Sequence, residues 1–128
     1  MRRFSFLLLL LFCCSRLSAS DIYEDVSSGF RTGDARILAS YFGNTIEMTL
    51  LSQEEVYGRA QAEMILKDFF TKNPPKAFKL VHKGSSREGM MYGIGSLQTS
   101  TGKNFRISFY LKSADHRNFL QELRIESE

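Results

Sequence analysis

The stretch Tyr57-Gly58-Arg59-Ala60-Gln61-Ala62-Glu63-Met64-Ile65-Leu66-Lys67-Asp68-Phe69-Phe70-Thr71-Lys72-Asn73-Pro74 decides the fold. Ala62, Ile65, Leu66 and Phe69 recur at helical spacing, with Met64 and Phe70 flanking the stripe and Lys67, Asp68 and Lys72 on the other side. Asn73-Pro74-Pro75 ends the run, because proline lacks the backbone N–H and restricts the residue before it. One amphipathic helix with clear ends follows from this pattern.

Working outward, four strand-like runs follow the helix. Residues 76–83 alternate Phe78, Leu80 and His82 against Lys79, Val81 and Lys83. After a turn at 84–89, residues 90–99 set Met90, Tyr92 and Ile94 on one side and Gly93 and Gly95 on the other. Ser100-Thr101-Gly102 is a hairpin signal. Phe105, Ile107, Phe109 and Leu111 then alternate with Arg106, Ser108, Tyr110 and Lys112, and 119–125 closes with Leu123 and Ile125 inward. Glycine weakens a strand, so Gly93 and Gly95 mark curvature or a close approach, with tolerance at an exposed position as the plain alternative.

Two short helices precede the main one. Ile22, Val26 and Phe30 are spaced by four; Asp21 is the cap candidate, and Gly29 or Gly33 ends the run. Asp34 suits the N-cap of a second helix whose face carries Ala35, Leu38, Tyr41 and Phe42, stopped by Gly43-Asn44. Residues 45–51 alternate as a strand, and 52–57 reads as a linker or a short strand. Helices first and a sheet after is an α+β arrangement: N-terminal helices packed in the concave face of a strongly curved, mainly antiparallel sheet.

The first twenty residues read as an export signal. Arg2 and Arg3 precede an apolar run of eleven residues over 4–14, broken only by Ser5, and Ser18-Ala19-Ser20 supplies small residues for cleavage after Ser20. That leaves 108 of the 128 residues as a single domain, 21–128. Eleven residues fall short of the ~20 needed to span a bilayer as a helix. A retained anchor is the alternative; a lipoprotein site fits poorly, since Phe12 precedes Cys13. The expectation is a periplasmic or secreted protein with no stable membrane span.

Cleavage also removes both cysteines, so disulfide and thiol chemistry drop out. Losing Arg2, Arg3 and Arg16 takes the 17 bases to 14, which balances the 14 acids. The sequence pI of about 9.0 therefore reflects the signal, not a nucleic-acid-binding surface. The basic stretch Lys72, Lys76, Lys79, Lys83 and Arg87 lacks the interleaved aromatics of a single-strand binder and reads as a solvated face.

Tyr57-Gly58-Arg59, Phe69-Phe70 and Asn73-Pro74, preceded by Gly33-Asp34-Ala35 and Tyr41-Phe42, resemble the nuclear transport factor 2-like superfamily, which has a cystatin-like cone fold. The closing strands, with Tyr92-Gly93-Ile94-Gly95, Phe109-Tyr110-Leu111-Lys112 and Leu123-Arg124-Ile125-Glu126, look like an exported bacterial branch, domain of unknown function family 4783. The resemblance covers the whole mature chain. It implies three helices in the concave side of a curved sheet, a pocket between the two layers and a convex face that often dimerises. Some enzymes of the superfamily, ketosteroid isomerase and the polyketide cyclases among them, place an acidic or histidine base on the pocket floor. Here the late strands carry no Asp, Asp34 is a cap, Asp68 faces out and Asp115 is in a turn, so no catalytic acid carries over.

Chemistry therefore rests on few residues. His82, on the face of Phe78 and Leu80, is the candidate base; a strand-end histidine is the plainer reading. His116, between Asp115 and Arg117, reads as surface, and two distant histidines without cysteine make no metal spacing. Tyr41, Tyr57 and Tyr92 are candidates to line a pocket with hydroxyl tips, or to pack in the core. Arg59, in the first turn of the main helix, is placed to meet a carboxylate at the pocket mouth, or to be solvated. Ser85, Ser86 and Ser108 have no histidine partner, and Gly93-Ile94-Gly95 matches no phosphate loop. On the opposite sheet face, Arg106, Tyr110, Leu120 and Glu122 are the interface candidates for a homodimer, with Arg106 and Glu122 as diagonal neighbours. No cofactor is expected. The leading expectation is a non-catalytic module for a small apolar ligand or a protein partner. A small proton-transfer enzyme using His82 and a tyrosine, and a structural dimer with a filled core, are the alternatives.

Overall fold

The computed structural model describes residues 21–85, 90–114 and 117–128. Residues 1–20, on which the expected export signal falls, and Ser86, Arg87, Asp115 and His116 lie outside these residues. Helix α1, Ile22–Thr32, starts where the Asp21 carboxylate accepts from Tyr23 N, and it ends at Gly33, whose φ of 67° is left-handed. Gly33, rather than Gly29, is the stop. Helix α2, Ala35–Ala39, is capped by the Asp34 carboxylate, which accepts from Arg36 N and Ile37 N.

Strand β1 is Phe42–Leu50 and β2 is Gln53–Gly58. Helix α3 is Arg59–Lys72; its end is held by Asn73, whose backbone and side-chain amides both donate to Phe69 O. Then follow β3 (Pro75–Ser85), β4 (Met91–Thr99), β5 (Asn104–Ala114) and β6 (Arg117–Ser127). The sheet order is β2-β1-β6-β5-β4-β3. Every pair is antiparallel except β1 with β6, which is parallel.

Two helical expectations need shortening. Tyr41 and Phe42 are not on α2: Tyr41 O accepts from Leu120 N at 2.7 Å and Phe42 opens β1. The pairing with β6, distant in sequence, takes the chain out of the helix after one turn. Tyr57 and Gly58 belong to β2, opposite Ile46 and Thr45, so the helix begins at Arg59.

The helices lie on one face of the sheet, and the space between is filled. Val26 and Phe30 of α1, Leu38 of α2 and Leu66 of α3 meet Phe42, Ile46, Met48, Leu97, Ile107, Phe109, Leu111, Leu120, Leu123 and Ile125, all essentially inaccessible to water. Aromatic rings tie the layers together. Phe30 stacks on Phe78 at 5.3 Å and meets Phe70 edge-on at 6.0 Å, and Phe69 meets Phe105 edge-on at 5.1 Å.

Gly93 and Gly95 make room for two of these rings. A Cβ on Gly93 would lie 2.3 Å from Phe109 Cζ, and one on Gly95 would lie 2.4 Å from Phe78 Cζ. The glycines face inward, and large aromatics lie flat across the strand where a side chain would otherwise stand. Residues 91, 93, 95, 97 and 99 therefore share the helix-facing side of β4, and Tyr92 and Ile94 point away from it.

Candidate functional site

The expected constellation of His82 with pocket tyrosines does not assemble. The register of β3 against β4 shifts between Leu80 and His82, so Leu80 pairs with Gly95 and His82 with Ile94. Val81 is the extra residue, and beyond it the inward–outward alternation changes phase. His82 is exposed on the outer face, away from Phe78 and Leu80. Lys83, expected to face outward, turns to the helix side, and its Nζ sits 5.3 Å from the Tyr23 ring centroid.

The remaining candidates separate. Tyr92 is on the outer face, its ring over the bare Cα of Gly84. Tyr41 Oη donates to the Asp25 carboxylate at 2.6 Å. Burial, and then this bond, push the Tyr41 hydroxyl up to about 12. Tyr57 packs against the core from β2, and the neighbouring Glu55 carboxylate raises its hydroxyl, with burial adding to the effect. Arg59 Nε donates to Gly43 O at 3.3 Å, which ties the start of α3 to β1.

On the outer face the interface set is also rearranged. Leu120 is fully buried against the helices, opposite Leu111. A register shift after Tyr110 leaves Tyr110 opposite Glu122 and turns Leu120 inward. Arg106 lies opposite Glu126, not diagonal to Glu122. Glu122 instead sits beside Arg124, with Nε and Oε1 3.0 Å apart in a charge contact whose N–H is not aligned on the oxygen. Glu47 also lies on this face, and its carboxyl is raised by a hydrogen bond with Glu54 and by the charge of Glu122.

A cleft forms at the other end of α3. A groove of about 590 Å³ opens between the last turn of α3, the β1–β2 turn, the β4–β5 hairpin and the end of β6. Its floor is apolar: Leu50, Leu51 and the edge-on pair Phe69 and Phe105. Its rim is polar, with Asp68, Lys72, Asn73, Lys103, Asn104 and Glu128. Lys72 Nζ is 3.0 Å from Asp68 in an exposed i, i+4 pair, whereas Lys103 makes no ion pair among the described residues.

The groove walls are held from several sides. Ser100 N donates to Pro74 O at 2.9 Å, which latches the β4–β5 hairpin to the segment leaving α3. Thr99 Oγ1 donates to Lys103 O at 2.6 Å inside that hairpin. At the lip, Leu51 has a φ of 59° and is 49% exposed. Left-handed backbone costs a bulky residue about 1–2 kcal/mol, and such outliers gather where a ligand is clamped. Only Leu51 and Ser52 join β1 to β2, a two-residue hairpin turn where glycine or asparagine is the usual choice. A leucine in that turn was the signal in the sequence for this groove. With 52–57 open between a linker and a short strand, the pattern alone does not fix a tight turn at Leu51-Ser52.

A family model described as a domain of unknown function (DUF4783) matches residues 23–126. The chain belongs to that family. A DUF4783 family protein from Bacteroides fragilis is 28% identical, with a TM-score of 0.78 over 84% of this chain and 100% of that one. A second, from Bacteroides ovatus, is 27% identical, with a TM-score of 0.76 over 81% of this chain and 93% of that one. The fold is nuclear transport factor 2-like: a protein so described, from Shewanella baltica, superposes with a TM-score of 0.62 at 11% identity, over 84% of this chain and 88% of that one. No curated protein matches the sequence.

Proposed function

We propose that this DUF4783 domain is a non-catalytic binding module, and that the groove at the end of α3 holds the apolar part of a small molecule whose polar or anionic end meets Lys103. The observation that carries this reading is a groove of about 590 Å³ lined by Leu50, Leu51, Phe69 and Phe105, at whose lip Leu51 is exposed while the two rings lie buried beneath. Ligand sites have this make-up: apolar walls with a few polar groups, in the range of roughly 300–1,000 Å³. The core beneath the helices is filled by Phe30, Phe42, Phe109 and their neighbours, which supports a ligand seat at the end of the cone rather than inside it. The scatter of His82, Tyr41, Tyr57 and Tyr92 over separate faces favours binding over proton transfer. We place the module outside the cytoplasm, on the support of Arg2-Arg3, the apolar run after them and Ser18-Ala19-Ser20.

Decanoate, with an apolar tail and one carboxylate, is a suitable probe. Backbone amide NMR shifts on titration are expected to cluster at Leu51, Asn73, Gly102, Lys103 and Asn104. Leu51→Asp is expected to weaken binding about tenfold or more by placing a charge on the apolar lip, with the fold intact by circular dichroism. Shifts centred elsewhere, or unchanged affinity in the variant, would remove the groove from consideration.

A further inference from the structure

The two edges of the sheet are not alike. An edge strand presents a row of unpaired backbone N–H and C=O groups, which lysines, prolines and bulges keep from pairing with another chain. On β3 all three devices are present: Lys76, Lys79 and Lys83, Pro75, and register shifts at 75–77 and 80–82. On β2 there is none of them. Its residues pair with β1 from Thr45–Gly58 to Leu50–Gln53 without a shift, and among the described residues no strand pairs with its other side. Five of its six residues are exposed, and Val56, in the middle of the strand, is 66% exposed.

The charge around this edge is of one sign. Paired residues share a face, so the strand register gives the rows. Glu54 and Val56 point to the outer face with Glu47, Thr49 and Glu122, and Glu126 follows on β6. Glu55 points to the helix side with Tyr57. The base on this part of the outer face, Arg124, is two strands in from the edge and lies against Glu122. Thr49, directly opposite Glu54, is only 9% exposed, and its hydroxyl has no hydrogen-bond partner among the described residues. Farther across the sheet the sign changes, and Arg106, Lys79 and His82 point outward.

We propose that β2 is the docking edge for an extended segment of a partner protein, which adds antiparallel to the six strands as a seventh and carries two consecutive basic residues. Main-chain hydrogen bonds to the free side of β2 hold such a segment, and its side chains select it. Successive strand residues point to opposite faces. One basic residue therefore lies across from Glu55 on the helix side, and the next lies across from Glu54 on the outer face. A β-branched apolar residue before them covers Val56. The outer cation reaches the Glu54 and Glu47 carboxylates and donates to the Thr49 hydroxyl oxygen. The lysines of β3 repel the same segment, so the docking is confined to one edge.

The peptide acetyl-Thr-Thr-Val-Lys-Lys-Thr-amide, titrated into the isotope-labelled protein, tests this by NMR. Amide shifts are expected to centre on Gln53–Gly58, with alternate β2 amides gaining protection from hydrogen exchange and a dissociation constant below about 1 mM. Exchanging both peptide lysines for glutamate is expected to weaken binding about tenfold or more at low salt, as is Glu54→Lys in the protein. Circular dichroism confirms that this variant is folded. Methylating the peptide's backbone nitrogens at alternate residues removes the donors that face β2 in one frame and those that face away in the other. The first frame is expected to abolish binding and the second to leave it within about threefold. Absence of saturable binding, shifts centred on another element, undiminished binding by either charge reversal, or equal loss in the two methylation frames would each overturn the proposal.

Discussion

Replacing Gly93 with alanine is expected to destabilise the domain, although alanine normally strengthens a strand. The added Cβ would lie 2.3 Å from Phe109 Cζ and 2.8 Å from both Cε atoms. Phe109 is fully buried, so its ring cannot swing into solvent to relieve the contact. Forcing a methyl into a packed core costs about 1–3 kcal/mol. Losing glycine's backbone entropy returns about 0.5–1 kcal/mol. The net loss is about 1–2 kcal/mol, a fall in Tm of roughly 4–10 °C for a domain of this size. Urea unfolding followed by circular dichroism gives the number. Phe109→Leu supplies the control: alone it costs about 1–2 kcal/mol, and combined with Gly93→Ala it should cost less than the sum by about 1 kcal/mol, because the smaller side chain leaves room for the methyl. A Gly93→Ala protein as stable as wild type, or strict additivity with Phe109→Leu, would refute the claim that the glycine exists to seat the ring.

Two further outcomes concern the cap at Asp34 and the half-buried hydroxyl of Tyr41. Asp34→Ala removes the acceptor for Arg36 N and Ile37 N, and equilibrium unfolding should show a loss of about 1 kcal/mol; no change would mean that tertiary contacts alone hold α2. Tyr41 is held neutral in the folded state, so its contribution is complete below the ordinary tyrosine value near 10 and is lost as pH rises through about 12. Stability of the wild type should therefore fall more steeply than that of Tyr41→Phe between pH 10 and 12, and ultraviolet titration should lose its highest tyrosine step in the variant. Parallel pH profiles would contradict the Tyr41–Asp25 bond.

Local signals in the sequence were reliable wherever one element supplied all of the physics. The α3 stripe of Ala62, Leu66 and Phe69, the stop at Asn73, and the caps at Asp21 and Asp34 depend on neighbours within a few residues. Period-two alternation likewise placed Phe105, Ile107, Phe109 and Leu111 inward. The errors fall where two strands must agree on a register. A single extra residue at Val81 sends His82 outward, and the shift after Tyr110 sends Leu120 inward. Neither strand alone contains the information, since a one-residue slip reverses every side chain beyond it.

The sequence by itself determined the class of fold, the order of its main elements, the N-caps of α1 and α2, the stop of α3 and much of the core, because helix periodicity, capping and strand alternation are properties of contiguous chain. Tertiary structure alone decided which side chains share a site. The groove brings Leu51, Phe69, Lys103 and Glu128 together from four separate elements, and the sheet's outer face sorts its acids from its bases through the order β2-β1-β6-β5-β4-β3. That order depends on the parallel pairing of β1 with β6, between segments far apart in the chain, and no local pattern encodes it.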